Sequence, residues 1–218
     1  MKILRISAQV LLASFFAFIQ GCSSTSGPGN NNNTSLSSIP TNGSTFSLYT
    51  NSGGGFLDPT TYTVAASSKQ HLSDSKVIML IGLHSNGQVD TSYESFESNG
   101  DVSLWSPTWN NGAWSTLPFA SRTAVNTSSD QGSGLKINSV AMGNGSGGKF
   151  TVPGVSGNPY STDSVTVKQY TVDNGVTDDS TIEHYSFIPT LGLIAIDRTD
   201  GSPGVPGSLD SLTQYSPK

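Results

Sequence analysis

Three histidines, His71, His84 and His184, are the side chains of this sequence best suited to acid–base or metal chemistry, and their spacing argues against both. None has a second histidine or a cysteine at ligand spacing, so no metal site is expected. Asp173-Asn174-Gly175, followed by Asp178-Asp179, could offer carboxylates to calcium. It lacks the spacing and terminal glutamate of an EF-hand loop, and reads as a solvated hairpin turn. Serine is plentiful, yet no Gly-x-Ser-x-Gly elbow occurs, and adjacency in a strand sends Glu183 and His184 to opposite faces. No catalytic residue is assigned and no cofactor is expected. A hydrolase would have to assemble its His–carboxylate–Ser cluster purely in space.

Two stretches could make contacts instead. Trp105, Trp109 and Trp114 lie close together beside Asn110-Asn111-Gly112. Exposed indoles there could stack on a sugar or an aromatic ligand while the amides hydrogen-bond to it. The favoured alternative has Trp105 and Trp114 filling the core of their own strands, with Trp109 covering the hairpin end. Phe56 and Leu57 follow the glycine run 53–55 and either fold inwards, the commoner outcome, or meet a bilayer or a lipidated partner.

Composition limits what such elements can serve. Only 11% of the 218 residues are charged, and 24 are glycine, a balance that favours strands and turns over helices. Fifteen acidic residues outnumber ten basic ones, so nucleic acid is not expected as a partner. The chain has one cysteine, Cys22. Its neighbourhood is distinctive: Lys2 and Arg5, then an apolar run from Val10 to Ile19, then Gln20-Gly21-Cys22.

That pattern resembles the lipobox of bacterial lipoproteins, with Gln20 where the family prefers a small or β-branched residue. The resemblance implies that residues 1–21 are a signal peptide removed before Cys22, and that Cys22 carries a diacylglyceryl thioether and an acylated amino group such as a palmitate. The membrane is then a partner through the lipid anchor, since two or more buried chains hold stably. Ser23 follows the cysteine, which by the same resemblance points to the outer membrane of the cell envelope.

Residues 22–44 are rich in Ser, Asn and Gly and read as a disordered tether, and residues 45–218 as one domain. Within the domain, residues 45–50 alternate with a period of two, and 62–66, 88–97, 101–105, 113–117, 134–142, 148–152, 164–172, 181–188 and 191–198 have strand-like composition. Lys76–Leu83, the most continuous apolar run, reads as a central strand buried on both faces. Asn-Gly pairs at 86–87, 99–100, 111–112, 144–145 and 174–175 mark hairpin turns. After Asp200, a Gly- and Pro-rich stretch ends regular structure, and the tail to Lys218 either packs or frays. The fold class is all-β, an antiparallel meander of about ten strands forming a sandwich or a partly closed barrel.

The aromatic strand Thr181–Ile188 with the apolar strand Leu191–Ile196, and the piece Trp114–Phe119, resemble segments of uncharacterised bacterial envelope proteins. Some of these are half-barrels akin to lipoprotein carriers and acceptors. The expected function is a lipid-anchored binding or structural module in the envelope, its partner a glycan or an envelope protein. The alternatives are a lipid or lipoprotein carrier with an apolar cavity, and the hydrolase described above.

Overall fold

Ile78, Leu80 and Gly82 are buried along Lys76–Leu83, whereas Val77, Met79 and Ile81 between them are only half-buried. One face of this strand therefore meets the core and the other is partly open, which corrects the expectation of burial on both faces. The same alternation recurs at Val165 and Val167, and at Leu193 and Ala195. It defines an inner and an outer face for the whole sheet.

The computed structural model describes residues 39–52, 55–56, 59–105, 113–132, 134–153, 155–201 and 207–218. Cys22, Leu57 and Trp109 lie outside the described residues, as do the signal peptide and most of the tether. Of Phe56, only its backbone, in a two-residue strand, is described. Thirteen strands occur among the described residues. They are β1 (Thr45–Ser52), β2 (Gly55–Phe56), β3 (Thr60–Ala66), β4 (Lys76–Leu83), β5 (Val89–Phe96), β6 (Val102–Trp105) and β7 (Ser115–Leu117). The second half comprises β8 (Val125–Gly132), β9 (Leu135–Phe150), β10 (Tyr160–Asp173), β11 (Val176–Ile188), β12 (Leu193–Thr199) and β13 (Ser208–Ser216). The fold is all-β, as expected.

The strands form one sheet in the order β7-β6-β5-β4-β3-β1-β13-β12-β11-β10-β9-β8, every pairing antiparallel, with β2 appended to β1. First and last strands thus pair at the middle, while β7 and β8, neighbours in sequence, form the two edges. Only residues 118–124 join those edges, a connection that can span at most about 29 Å. Twelve strands laid flat would put the edges about 50 Å apart. The sheet must therefore curl into a nearly closed barrel, and the side chains confirm the closure. Phe119, just beyond β7, stacks on Phe187 of β11 with ring centroids 5.0 Å apart. At the same seam, a Cβ on Gly143 of β9 would stand 2.2 Å from the carbonyl oxygen of Pro118.

Three features that the sequence misplaced, concealed or left open have physical causes. Asn144-Gly145 does not turn the chain: Gly145 has φ +83° and sits in a bulge of a continuous β9, where the register against β10 shifts. Strand β8, Asn-Thr-Ser-Ser-Asp in its middle, has no apolar alternation and exists by pairing with β9 at the sheet edge. Strand β13 resumes after the Gly- and Pro-rich stretch because Leu212 and Tyr215 bury themselves, at 2% and 8% exposure. The Asn-Gly pairs at 86–87, 99–100 and 174–175 do close hairpins; the last combines φ of +48° and +84°, the two positive values of a type I′ turn. Asn111-Gly112 lies outside the described residues.

Phe46, Phe96, Phe119, Phe187, Ile188 and Leu193 fill one end of the interior. The chain closes over that end: Asn158 holds its own loop by accepting a hydrogen bond from the Val152 N–H and donating to the carbonyls of Val152 and Val155.

Candidate functional site

Toward the other end, the inner face turns acidic. Tyr185 of β11 stands opposite Asp197 of β12, Asp197 opposite Asp210 of β13, and Asp210 opposite Thr50 of β1, one row across four strands. Two carboxyl groups are therefore cross-strand neighbours, and both face inwards with Ala195 and Leu212, which share their faces and are buried. Glu183, two residues before Tyr185, is 5% exposed and accepts a hydrogen bond of 3.1 Å from the Tyr185 hydroxyl. Glu94 of β5, 8% exposed, and Tyr62 of β3 complete the lining from the other side.

Burial dominates the protonation of all four acids. It pushes Glu94 up to about 8, and Glu183 up to about 7 against the opposing hydrogen bond from Tyr185. Asp197 is raised well above the usual carboxylate range, first by burial and then by Glu183 and Asp210. Asp210 is raised by burial, which the Thr50 hydroxyl counteracts in part. The phenols of Tyr62 and Tyr185 are raised too, by burial first and then by these carboxylates. Among the described residues, no cation lowers any of the four acids; a hydroxyl lowers Glu183 and another Asp210.

Exposure increases outwards. Asp197 and Asp210 are half-buried, and Asp90 of β5 is exposed near the β4–β5 turn. There, Nε2 of His84 lies 3.2 Å from Asp90 and Nδ1 lies 3.0 Å from the Thr60 hydroxyl. Gly82 makes this corner possible. A Cβ at that position would stand 2.1 Å from Oδ1 of Asp90 and 2.8 Å from the Tyr62 ring.

The other histidines belong to the outer surface. His184 points away from Glu183, as adjacency requires, and bridges Thr166 (3.3 Å) and Asp200 (3.0 Å). His71 stacks on Trp114 with centroids 4.6 Å apart, its Nε2 3.4 Å from Oε1 of Glu97. Burial lowers His71 and raises Glu97 to about 7, with the Ser103 and Ser95 hydroxyls opposing the latter. Three imidazole–carboxylate pairs thus exist, and the hydroxyls hydrogen-bonded to His84 and His184 belong to threonines.

Trp105 and Trp114 share this outer face, both half-buried. Segment 67–75 straps them down: Nζ of Lys69 sits 3.3 Å from the Trp105 ring centroid, His71 covers Trp114, and Ser98 donates to Asp74. Trp105 also packs edge-on against Tyr93 at 5.1 Å. The acidic lining was missed in the sequence because Glu94, Glu183, Asp197 and Asp210 are dispersed over more than a hundred residues. The available signal was an acid at an inward position of each alternating strand.

No family model matches the chain, and no curated protein matches it. Its fold is similar to that of a crystal structure from Parabacteroides distasonis, a protein described provisionally as a lipoprotein. The TM-score is 0.50 at 11% identity, covering 82% of this chain and 97% of that one. A provisionally exported protein of Bacteroides fragilis with a YmcC-like fold gives a TM-score of 0.47 at 9% identity, with the same coverage of 82% and 97%. What this chain shares with the Parabacteroides distasonis protein is thus the nearly closed, all-β barrel.

Proposed function

We propose that this chain is a lipid-anchored envelope protein, held at Cys22 in the outer membrane, whose barrel receives a ligand at its acidic end. One observation carries the binding reading: Asp197 and Asp210 are placed side by side, facing inwards, with no cation acting on them among the described residues. Two carboxyl groups side by side cannot both ionise without repulsion, and burying them is costly in either form. An arrangement that weakens the empty protein is expected where something else uses it. The carrier alternative needs an apolar cavity, whereas the apolar end here is occupied by packed rings, Phe119 on Phe187 among them. For the anchor, the lipobox at Cys22 is the support, and the provisional lipoprotein description of the similar structure agrees with it.

The anchor is tested by metabolic labelling with a palmitate analogue, which should mark the wild type and spare Cys22→Ser; equal labelling overturns it. The site is tested by thermal shift of the detergent-solubilised full chain against anionic, neutral and cationic small molecules. Some class should stabilise the wild type and fail on Asp197→Asn. Equal stabilisation of both proteins by every active compound overturns the acidic end as the site.

A further inference from the structure

The lining of the acidic end is made of acceptors. Besides the four carboxyl groups it contains Gln169 of β10, 5% exposed, whose Oε1 meets no hydrogen-bond donor. Gln169 shares its inward strand face with Val165 and Val167, and Val167 stands directly opposite Glu183. The amide is therefore diagonal to Glu183, within reach of the same occupant. Oδ1 of Asp210 is likewise buried without a donor. An unmet acceptor inside a barrel is costly, so the missing partner must bring N–H or O–H groups.

Resting on the binding reading above, we propose that the occupant is a small organic polyamine, its ammonium groups set against Asp197, Asp210 and Glu183 and an N–H donated to Gln169. A divalent metal fits less well. It needs several ligands converging on one point, and among the described residues no three His, Cys, Asp or Glu side chains are so gathered. These acids are instead spread over β5, β11, β12 and β13. Several positive charges separated by methylenes match a dispersed set of acceptors.

Ammonium groups also change the protonation of the site. The groups facing it are Glu94 and Asp90 from β5, Tyr62 from β3, Glu183 and Tyr185 from β11, Asp197 from β12 and Asp210 from β13, with His84 against Asp90 at the rim. Burial raises Glu94, Glu183, Asp197 and Asp210, and a nearby positive charge favours their ionised form. Binding should therefore release protons and tighten as pH rises from 6 to 8.

The experiment is calorimetric titration of the detergent-solubilised full chain with spermidine at pH 7, in two buffers of different ionisation enthalpy. The expected result is saturable binding with net proton release, weakened at least tenfold in Asp197→Asn and in Gln169→Leu. Asp197→Asn replaces a buried carboxyl group by an amide of the same size, so it should melt no lower than the wild type, which separates lost binding from lost folding. The surface variant Asp173→Asn should bind as the wild type does. Absence of spermidine binding overturns the polyamine assignment, and it spares the acidic site if a neutral or anionic compound is active in the thermal-shift panel. Equal weakening by Asp173→Asn, proton uptake, or full competition by magnesium ions overturns it too.

Discussion

Phe119 lies stacked on Phe187, their planes 28° apart, although the first leaves one edge of the sheet and the second belongs to a strand on the far side of the sheet order. The contact fastens the seam that hydrogen bonding leaves open between β7 and β8. Phe119 is 1% exposed, so Phe119→Ala should destabilise the domain by about 3–5 kcal/mol in urea denaturation. Val176→Ser, at a position 68% exposed, should leave the midpoint where it was.

Stability should fall as pH rises. Glu94 and Glu183 carry folded-state values near 8 and 7 against an ordinary 4.5, so between these limits the folded chain binds more protons than the unfolded one. By linkage, their contribution is fully present below about pH 4.5 and lost as pH passes through 7 to 8. Melting temperatures at pH 5.5 and 8.5 should differ in that sense, and Glu183→Gln should reduce the difference. A melting temperature independent of pH would contradict the burial of these acids.

Gly82→Val should disturb the rim from within. Its side chain must displace Asp90 or the Tyr62 ring, and overpacking of this kind costs about 1–3 kcal/mol. The signature beyond stability is the His84–Asp90 contact, visible in the imidazole NMR signals, which should change in Gly82→Val.

Removing the strap's cation should report on the indoles. Lys69→Ala loses a contact 3.3 Å from the Trp105 ring centroid, worth about 0.5–2 kcal/mol. Tryptophan fluorescence should shift to the red as Trp105 becomes more exposed. Trp105→Ala should cost less than the ~3–5 kcal/mol of a fully buried ring, because one side of this indole is only covered by a surface segment.

Local sequence determined most of the strands and most of their turns. Phe46 and Leu48, or Val165 and Val167, alternate with polar neighbours whatever the rest of the chain does, and Asn174-Gly175 can adopt two positive φ angles by itself. It also determined that Glu183 and His184 would part company, since that follows from the pleat. The same local rules misplaced Asn144-Gly145, where the identical dipeptide serves a bulge because β10 offers a partner on both sides of it. Position within the sheet depends on the partner, and partners are chosen over long separations: Thr45 pairs with Ser216. Only when that pairing and the short 118–124 connection curl the sheet do Glu94, Glu183, Asp197 and Asp210 share an interior. Each is an unremarkable acid in its own strand, and their proximity depends on the closure of the barrel.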